Sequence, residues 1–533
     1  WTTDDFFDIS RNMEIFGKTY TEVNAAYVEE PDPTALMRTA INAMLASLDP
    51  YTNYYGESII EDSRVINTGQ YSGIGAEVDQ RKGVFVLMEL YKGGPADLAG
   101  LKVGDRLTGI DNEVVDSART REVVNNLLLG EKGKPVRLTI SRPGEDSPRS
   151  VTVVRGGTEE QQENVPYYGM ATEKFGYILL SGFMQDAGKE VADALAALKK
   201  DHPDLAGVVL DVRFNPGGRL DEAVNVCNVF MPQGEKIVEM RGRARESQNM
   251  FYTLRSPVDT EIPLVVLVNS RSASASEIVA GSIQDLDRGV IVGQRSFGKG
   301  LVQNVRPVTN STQMKITIAK YYTPSGRCIQ AIDYSGKLTD GVQGRIPDSL
   351  VKAFTTRNGR PVYDGGGVEP DMPAALPARP SVVRALEEQG LIFDFVSEFV
   401  ANKTSIGEVR SFSLDEAEYS QFVNWCTRRG FTYETPAEQQ LDVLEARLKK
   451  EHFDQAMKDE IVALRRQMEE QKSQDLRTYQ TEISRLLRLE IINRFYYKEG
   501  VIEASFKDDP DMKVAIQVLS DPLLYRDLLR KKP

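Results

Sequence analysis

The sequence predicts a multidomain α/β protein: a helical N-terminal segment, a β-rich module, an α/β core with a mostly parallel sheet, and a helical C-terminal domain. The chain has 533 residues, which at about 150 residues per domain indicates roughly three to four domains. Between residues 176 and 373, near-continuous apolar strands alternate with helices, the pattern of a parallel sheet covered on both faces. From Ser381 onward the pattern is helical and heavily charged.

The four regions follow from changes in periodicity along the chain. In the first, apolar residues such as Ile41 and Leu45 recur at helical spacing, and Asp49-Pro50 ends the second helix. The second has short strands with Gly-rich turns and one amphipathic helix. We assign the N-terminal helical region to 1–66, the β-rich module to 67–157, the α/β core to 158–375 and the helical accessory domain to 376–533.

Composition and charge exclude several classes of protein. The formal net charge of −13 and pI of about 5.1 disfavour nucleic acid as a partner. Three distant cysteines exclude a disulfide framework, and only two histidines, His202 and His452, are present, both in polar stretches. A Ser-His-Asp enzyme and a metal site are therefore not expected, and no cofactor motif is found. No stretch approaches the ~18 apolar residues that span a bilayer.

Residues 269–305 predict a strand, a helix, a second strand, a Gly-rich loop and a third strand. The helix returns along the sheet by about 18 Å, and the second strand covers a similar distance in the opposite direction. This crossover brings Ser274 and Lys299 to the same carboxyl edge, where open α/β sheets bind ligands.

Because no suitable histidine is available, the remaining base for a serine nucleophile is a lysine kept neutral by burial. Lys299 lies between two glycines, with Phe297 and Leu301 nearby, and we expect an apolar pocket to lower its pKa. If the chain is extended here, Lys299 and Gln303 share a face. Gln303 is then expected to orient the amine.

Two turns are candidates for stabilising an oxyanion. Ser274 begins a helix, which directs the Ala275 N–H at the reacting atoms, and the turn containing Gly217 and Gly218 ends a parallel strand.

Three other interpretations exist for the same segment. The residues from Ser274 to Glu277 form a capping box, which is purely structural. Residues 293–300 approach a phosphate-binding loop but lack its Ser/Thr and the helix that follows. Residues 296–299 match S-x-x-K, without the other motifs of that class.

Several segments together resemble the carboxyl-terminal processing peptidases, tail-specific serine proteases with a Ser/Lys dyad. They lie in the family's order from about residue 15 to 375. The matching segments are MLASLDPYTNYY (44–55), GIGAEV (73–78), GGPADLAGLKVGDRLTGIDN (93–112), LDVRFNPGG (210–218), SASASEIVAG, RSFGKGLVQ, KITIAKYYTPSGRCIQ (315–330) and GVEPDM (367–372). The helical C-terminal region resembles the extra domain of some Bacteroidetes-type members.

The resemblance implies an endopeptidase in which Ser274 is the nucleophile, Lys299 the base and Gln303 its partner. Ala275 and either Gly217 or Gly218 would then supply the oxyanion donors.

It also implies that the β-rich module is a PDZ domain for protein or peptide substrates with apolar C-termini. The candidate peptide-binding residues are Gly73, Ile74, Gly75 and Ala76, through a carboxylate-binding loop and strand addition. A periplasmic or cell-envelope location in a bacterium, a lipoprotein adaptor or activator and a homodimer are further expectations. The chain begins with Trp1 rather than Met. We therefore expect that an upstream segment has been removed by processing.

Overall fold

The computed structural model describes residues 3–56, 71–156, 163–309, 311–334, 336, 344–374, 379–401, 403–453 and 457–530. The three predicted domain boundaries, at 66/67, 157/158 and 375/376, lie outside these residues, as does the end of the predicted N-terminal helical region. The overall class predicted from the sequence is confirmed. The structure contains helices at both ends of the chain, a β-rich module and an α/β core.

The N-terminal region contains two helices and one short strand: α1 (Thr3–Ala26), α2 (Pro33–Ala46) and β1 (Asn53–Tyr55). The Asp32 side chain accepts hydrogen bonds from the first turn of α2, as an N-cap does. The turn between α2 and β1 is built by Asp49, whose carboxylate accepts from the backbone N–H groups of Tyr51 and Thr52. Strand β1 was not predicted, and it joins a sheet of the core.

The β-rich module is an antiparallel sheet with an amphipathic helix beside it. Its main sheet has the order β3-β4-β5-β8-β9, and Phe85, Leu107 and Leu138 of its apolar core are almost completely buried. Its elements are β2 (Tyr71–Ser72), β3 (Ala76–Arg81), β4 (Val84–Leu90), α3 (Pro95–Leu98), β5 (Arg106–Ile110), β6 (Glu113–Val114), α4 (Arg121–Leu128), β7 (Gly130–Glu131), β8 (Pro135–Ser141) and β9 (Arg149–Val154).

The α/β core is built on a six-stranded sheet in the order β10-β11-β12-β15-β16-β23. All neighbours are parallel except β10 and β11, which confirms the predicted mostly parallel sheet. The strands and crossover helices that form it are β10 (Tyr167–Met170), β11 (Phe175–Leu179), α5 (Ala187–Asp201), β12 (Gly207–Asp211), α6 (Leu220–Phe230), β15 (Leu264–Val268), α7 (Ala275–Asp285), β16 (Val290–Gly293) and β23 (Met372–Pro373).

A second, antiparallel sheet was not predicted. It has the order β1-β18-β13-β14, with β17 also paired to β18. Strand β18 is thus the link between the N-terminal region and the loop that follows β16. Its strands are β13 (Lys236–Gly242), β14 (Asn249–Tyr252), β17 (Leu301–Pro307) and β18 (Gln313–Tyr322), and two short hairpins follow, β19 (Ile332–Asp333) with β20 (Gly344–Arg345) and β21 (Ala353–Thr355) with β22 (Pro361–Tyr363).

The C-terminal region is helical, as predicted, with its own core around Phe395, Phe422 and Leu487. Its helices are α8 (Ser381–Glu388), α9 (Leu391–Phe399), α10 (Glu416–Arg428), α11 (Pro436–Lys450), α12 (Lys458–Lys472), α13 (Asp475–Thr478), α14 (Gln480–Ser505), α15 (Pro510–Ser520) and α16 (Pro522–Leu528).

The two faces of the parallel sheet are covered by different parts of the chain. Helices α5, α6 and α7 pack on one face. The other face packs against α15, whose Met512, Ala515 and Val518 contact Val209 and Val265 of the central strands. Helix α15 of the C-terminal region therefore contributes to the core of the α/β domain, in addition to the separate core of the helical region.

Met512→Ala tests this role of α15. Its side chain is 1% exposed, and replacing a buried Met by Ala costs about 2–5 kcal/mol of unfolding free energy through lost contacts and a cavity. Leu523→Ala is the matched control, because that side chain is 64% exposed and a surface change costs within about 0.5 kcal/mol. Denaturant unfolding measures both. Equal stability of the two variants would contradict the packing described.

Candidate active site

Three turns meet at the carboxyl edge of the parallel sheet, following β12, β15 and β16. The Asn215 carbonyl accepts from the Ala273 N–H at 3.0 Å and from the Ser276 hydroxyl at 2.9 Å, joining the first turn to the second. The Phe297 N–H donates to the Ser272 carbonyl at 3.0 Å, joining the second to the third. The crossover therefore brings the segments of Ser274 and Lys299 together, as the geometry of the sequence predicted.

Ser274 occupies a conformation that is rare for a serine. Its φ is 56° and its ψ −112°, outside the regions that L-residues prefer, and such strain is typical of functional sites. The residue is half-buried at the start of α7. Ala275, the first residue of the helix, is 1% exposed. In the described part of the chain its N–H has no hydrogen-bond acceptor, so it is available to an oxyanion at the helix N-terminus.

The carboxylate of Glu277 connects the serine turn with the lysine loop. It is fully buried and accepts four hydrogen bonds. One oxygen accepts from the Ser274 N–H at 2.9 Å and the Lys299 N–H at 2.9 Å. The other accepts from the Gly298 N–H at 2.7 Å and the Ser296 hydroxyl at 2.5 Å. Burial raises the pKa of Glu277, and these donors oppose that shift.

Tyr321 makes a second connection between the same two residues. Its ring is 1% exposed, and its hydroxyl contacts the Ser274 carbonyl at 3.0 Å and also the Lys299 carbonyl. Burial raises the pKa of Tyr321 far above its ordinary value, so the hydroxyl stays a neutral donor. Glu277 and Tyr321 together fix the main chain at both residues.

The amine of Lys299 lies in a half-buried setting beside an aromatic ring. Its Nζ is 4.4 Å from the centre of the Tyr51 ring. Burial lowers the pKa of Lys299, the positive charge of Lys315 lowers it further, and Glu277 and Asp49 raise it. The lowered pKa agrees with the expectation from the sequence. The expectation that Phe297 forms part of an apolar pocket around the amine was wrong, because the Phe297 side chain is 49% exposed.

Gln303 lies two residues into β17 and partly buried. Its Nε2 donates to the Thr317 hydroxyl at 3.1 Å, and Thr317 in turn contacts Thr52 of the N-terminal turn. With the amide nitrogen held in this way, the amide oxygen has no hydrogen-bond donor among the residues that the structure describes.

The two glycines after β12 differ in their surroundings. Gly217 has φ of 98°, and a Cβ there would come within 2.8 Å of the Ala275 nitrogen and of the Ser274 Cβ, so only glycine fits. Its N–H donates to Asn215 Oδ1 at 2.9 Å. Gly218 is exposed, and among the described residues its N–H has no acceptor. Gly217 therefore lies against Ser274, whereas a Cβ on Gly218 would meet the backbone of Phe183.

The predicted peptide-binding loop of the β-rich module has its carbonyl groups turned inward. The carbonyls of Gly73, Ile74 and Gly75 accept from N–H groups of the module itself, at 3.2, 2.7 and 3.1 Å. In a trans peptide the N–H points opposite to the carbonyl, so the N–H groups of Ile74, Gly75 and Ala76 point away from those donors. Strand β3, which starts at Ala76, is an edge strand of the described sheet, with one side open to pairing.

Within the described residues, no group of three or more His, Cys, Asp or Glu side chains could hold a metal ion. A search of the same residues finds no helix long and apolar enough to cross a bilayer.

Reasoning from the sequence missed the residues that hold the site together. Glu277 was recognised only as part of a capping box. Tyr321 and Tyr51 lie in segments that resemble the family, but no role was assigned to either residue. The one available signal for Glu277 was its spacing from Ser274, while Tyr51 and Lys315 reach Lys299 through strand pairing that the sequence does not show.

Three family profiles match the chain. "Peptidase family S41" matches residues 174–343, "PDZ domain" residues 86–142, and "Probable PDZ-protease, C-terminal helical domain" residues 382–519. Together with the site at the sheet edge, these matches identify the chain as a peptidase that contains a PDZ domain.

Two individual relatives narrow the class of peptidase. A carboxy-terminal-processing protease of Bartonella bacilliformis is 35% identical over 333 residues, which are 62% of this chain and 75% of the relative. The carboxy-terminal processing protease CtpA of Bacillus subtilis is 29% identical over 336 residues, 62% of this chain and 68% of the relative. The chain therefore belongs to the carboxy-terminal processing protease family.

Among solved structures, the photosystem II D1 C-terminal processing protease is similar at 27% identity with a TM-score of 0.36. The match covers 62% of this chain and 91% of that one.

Proposed function

We propose that this peptidase is a serine endopeptidase that uses Ser274 as nucleophile and Lys299 as general base. The observation that carries the proposal is the shared carboxylate of Glu277, which accepts from the backbone N–H of both residues at 2.9 Å. A nucleophile and its base must be held at fixed separation, and one buried acceptor for both does so.

The chemistry follows from the environment of each group. Neutral Lys299 removes the proton of the Ser274 hydroxyl as its oxygen attacks the substrate carbonyl. The Ala275 N–H and an N–H of Gly217 or Gly218 stabilise the developing oxyanion. The protonated amine then donates its proton to the leaving nitrogen, and water hydrolyses the acyl-enzyme. The Gln303 amide oxygen orients the amine, because Thr317 already holds the amide nitrogen.

Recognition of a substrate's C-terminus belongs to the PDZ domain. The N–H groups of Ile74, Gly75 and Ala76, turned away from the domain core, suit a terminal carboxylate, and Gly75 has the left-handed φ of 71° that such a loop requires. The open edge of β3 pairs with the extended peptide. Arg121 at the start of α4 lies 3.5 Å from Asp79 of β3, so helix and strand border a common groove.

The envelope location, a lipoprotein adaptor and a homodimer stay predictions. The relatives from Bartonella bacilliformis and Bacillus subtilis are bacterial, as this location requires.

Removing either reacting group is expected to abolish cleavage. Ser274→Ala and Lys299→Ala should each lower kcat by on the order of a thousandfold or more, because the nucleophile and base act as a unit. Incubation with an unfolded protein ending in apolar residues, followed by mass spectrometry of the products, measures this. Ser270→Ala and Lys320→Ala are matched controls, since they make the same chemical changes at side chains that are exposed. Cleavage by the Ser274→Ala variant would exclude this nucleophile.

The proposed base predicts a pH dependence. Activity should rise with pH as Lys299 loses its proton, and half-maximal activity should fall below the ordinary lysine pKa of about 10.4, because burial and Lys315 lower the pKa. Lys315→Gln removes a positive charge, which raises the pKa of Lys299 and moves the rising limb to higher pH. Profiles of kcat/KM between about pH 6 and 10 test this. A shift to lower pH would contradict it.

The carboxylate-binding loop predicts a preference for free C-termini. A peptide ending in apolar residues should bind the Ser274→Ala variant at least about tenfold more tightly than the same peptide with an amidated terminus, since charge-assisted hydrogen bonds contribute about 1.5–3 kcal/mol. Fluorescence anisotropy of the two labelled peptides measures the difference. Equal affinities would show that the PDZ domain does not bind the carboxylate.

A further inference from the structure

Helix α15 of the C-terminal domain begins at the same edge of the sheet as the catalytic turns. Its apolar side packs on the sheet face, and its first turn carries Asp509 and Asp511. Asp509 is the N-cap, accepting from the N–H groups of Asp511 and Met512. The side chain of Asp511 is 4% exposed. One buried carboxylate, that of Asp511, and one partly buried carboxylate, that of Asp509, therefore lie beside the active-site loops.

Asp511 contacts two of these loops at once. One carboxylate oxygen accepts from Arg213 Nη1 at 2.8 Å, and the other accepts from Gln294 Nε2 at 2.9 Å. Arg213 follows β12, and Gln294 follows β16. Strand β15, which leads to Ser274, lies between these strands in the sheet. Asp511 thus connects the loops on either side of β15, the strand that precedes the nucleophile.

The two residues held by Asp511 are directly connected to the chemistry. Arg213 precedes Phe214, which has φ of 62°, and the turn then continues to Gly217 and Gly218. Gln294 begins the loop that ends in Lys299. A shift of Arg213 therefore moves the turn that contains the oxyanion glycines, and a shift of Gln294 moves the loop that carries the base.

Arg213 is held on several sides. Its guanidinium also contacts Asp211, at 2.6 Å, and Asp509, at 2.8 Å. Asp211 in turn accepts from the Tyr177 hydroxyl at 2.7 Å. Buried pairs of this kind add little net stability, because desolvation offsets the attraction, but they specify geometry. Attachment of α15 to the sheet is already provided by its apolar contacts.

We propose that Asp511, with Asp509, is a positioning residue for peptide cleavage, through which the C-terminal helical domain sets the oxyanion turn and the base loop on either side of Ser274. The proposal rests on the chemistry proposed above for Ser274 and Lys299. The helical domain is then part of the catalytic apparatus.

Asp511→Asn tests the proposal in the full-length protein. An amide has one acceptor oxygen and one NH2 donor group in place of two acceptor oxygens. Because Arg213 and Gln294 donate to different oxygens of Asp511, the amide can accept from Arg213 or from Gln294 but not from both. Because small misplacements of reacting groups cost up to about a hundredfold in rate, kcat should fall by on the order of ten- to a hundredfold. KM should stay within about twofold, since the substrate contacts are unchanged.

Asp508→Asn is the matched control. It makes the same chemical change three residues away, where the carboxylate pairs with Arg488 inside the helical domain. This variant should keep kcat within about twofold of the wild type. Thermal unfolding of both variants separates a loss of folded protein from a loss of rate.

A reciprocal pair of substitutions provides a rescue. Gln294→Glu alone places a carboxylate against Asp511 and should lower kcat. Combined with Asp511→Asn, it restores both contacts, since the new amide donates to position 294 and accepts from Arg213. Recovery of kcat in the double variant supports the proposal, and this comparison also decides the matter if Asp511→Asn alone does not fold.

The outcomes separate this inference from the function on which it rests. Wild-type kcat in Asp511→Asn, or a double variant no better than Gln294→Glu, overturns the positioning role. If the wild type shows no cleavage that depends on Ser274, the proposed function fails. Hydrogen exchange of residues 213–218 and 294–300 then still tests the inference, since both segments should exchange faster in Asp511→Asn than in Asp508→Asn. Equal exchange would refute it.

Discussion

The buried carboxylate of Glu277 is the interaction on which the rest of the site depends. A charge removed from water is costly unless donors surround it, and here all four donors come from the serine turn and the lysine loop. The demand for these donors determines where both segments lie. The strained backbone of Ser274 is tolerated because its N–H is one of them.

The fold behind this arrangement is assembled from distant parts of the chain. The parallel sheet supplies the edge at which three turns meet. The antiparallel sheet supplies Tyr321 and Lys315, and the N-terminal turn supplies Tyr51. The last helices cover the remaining sheet face. The N-terminal region, the α/β core and the helical C-terminal region thus all contribute to the surroundings of one site.

The sequence could predict elements whose signal is local. The strands Gly207–Asp211 and Leu264–Val268 are fully buried apolar runs, and their alternation with helices implied the parallel order and hence the meeting of Ser274 with Lys299. The antiparallel sheet was missed because β1 and β13, which both pair with β18, lie far from that strand in the chain. Phe297 was misjudged as a pocket wall because sequence proximity does not indicate the direction of a side chain, whereas Tyr51 reaches Lys299 only through the docking of β1.

The position of α15 has a consequence for biosynthesis. Arg213 and Asp511 are 298 residues apart in the chain, and the sheet face formed by Val209 and Val265 stays uncovered until residues 510–520 have emerged from the ribosome. Domains generally fold as units during synthesis, but this core cannot close until residue 520 has been synthesised. A chain that ends before α15 therefore leaves this sheet face exposed and lacks the contacts that Asp511 makes with Arg213 and Gln294.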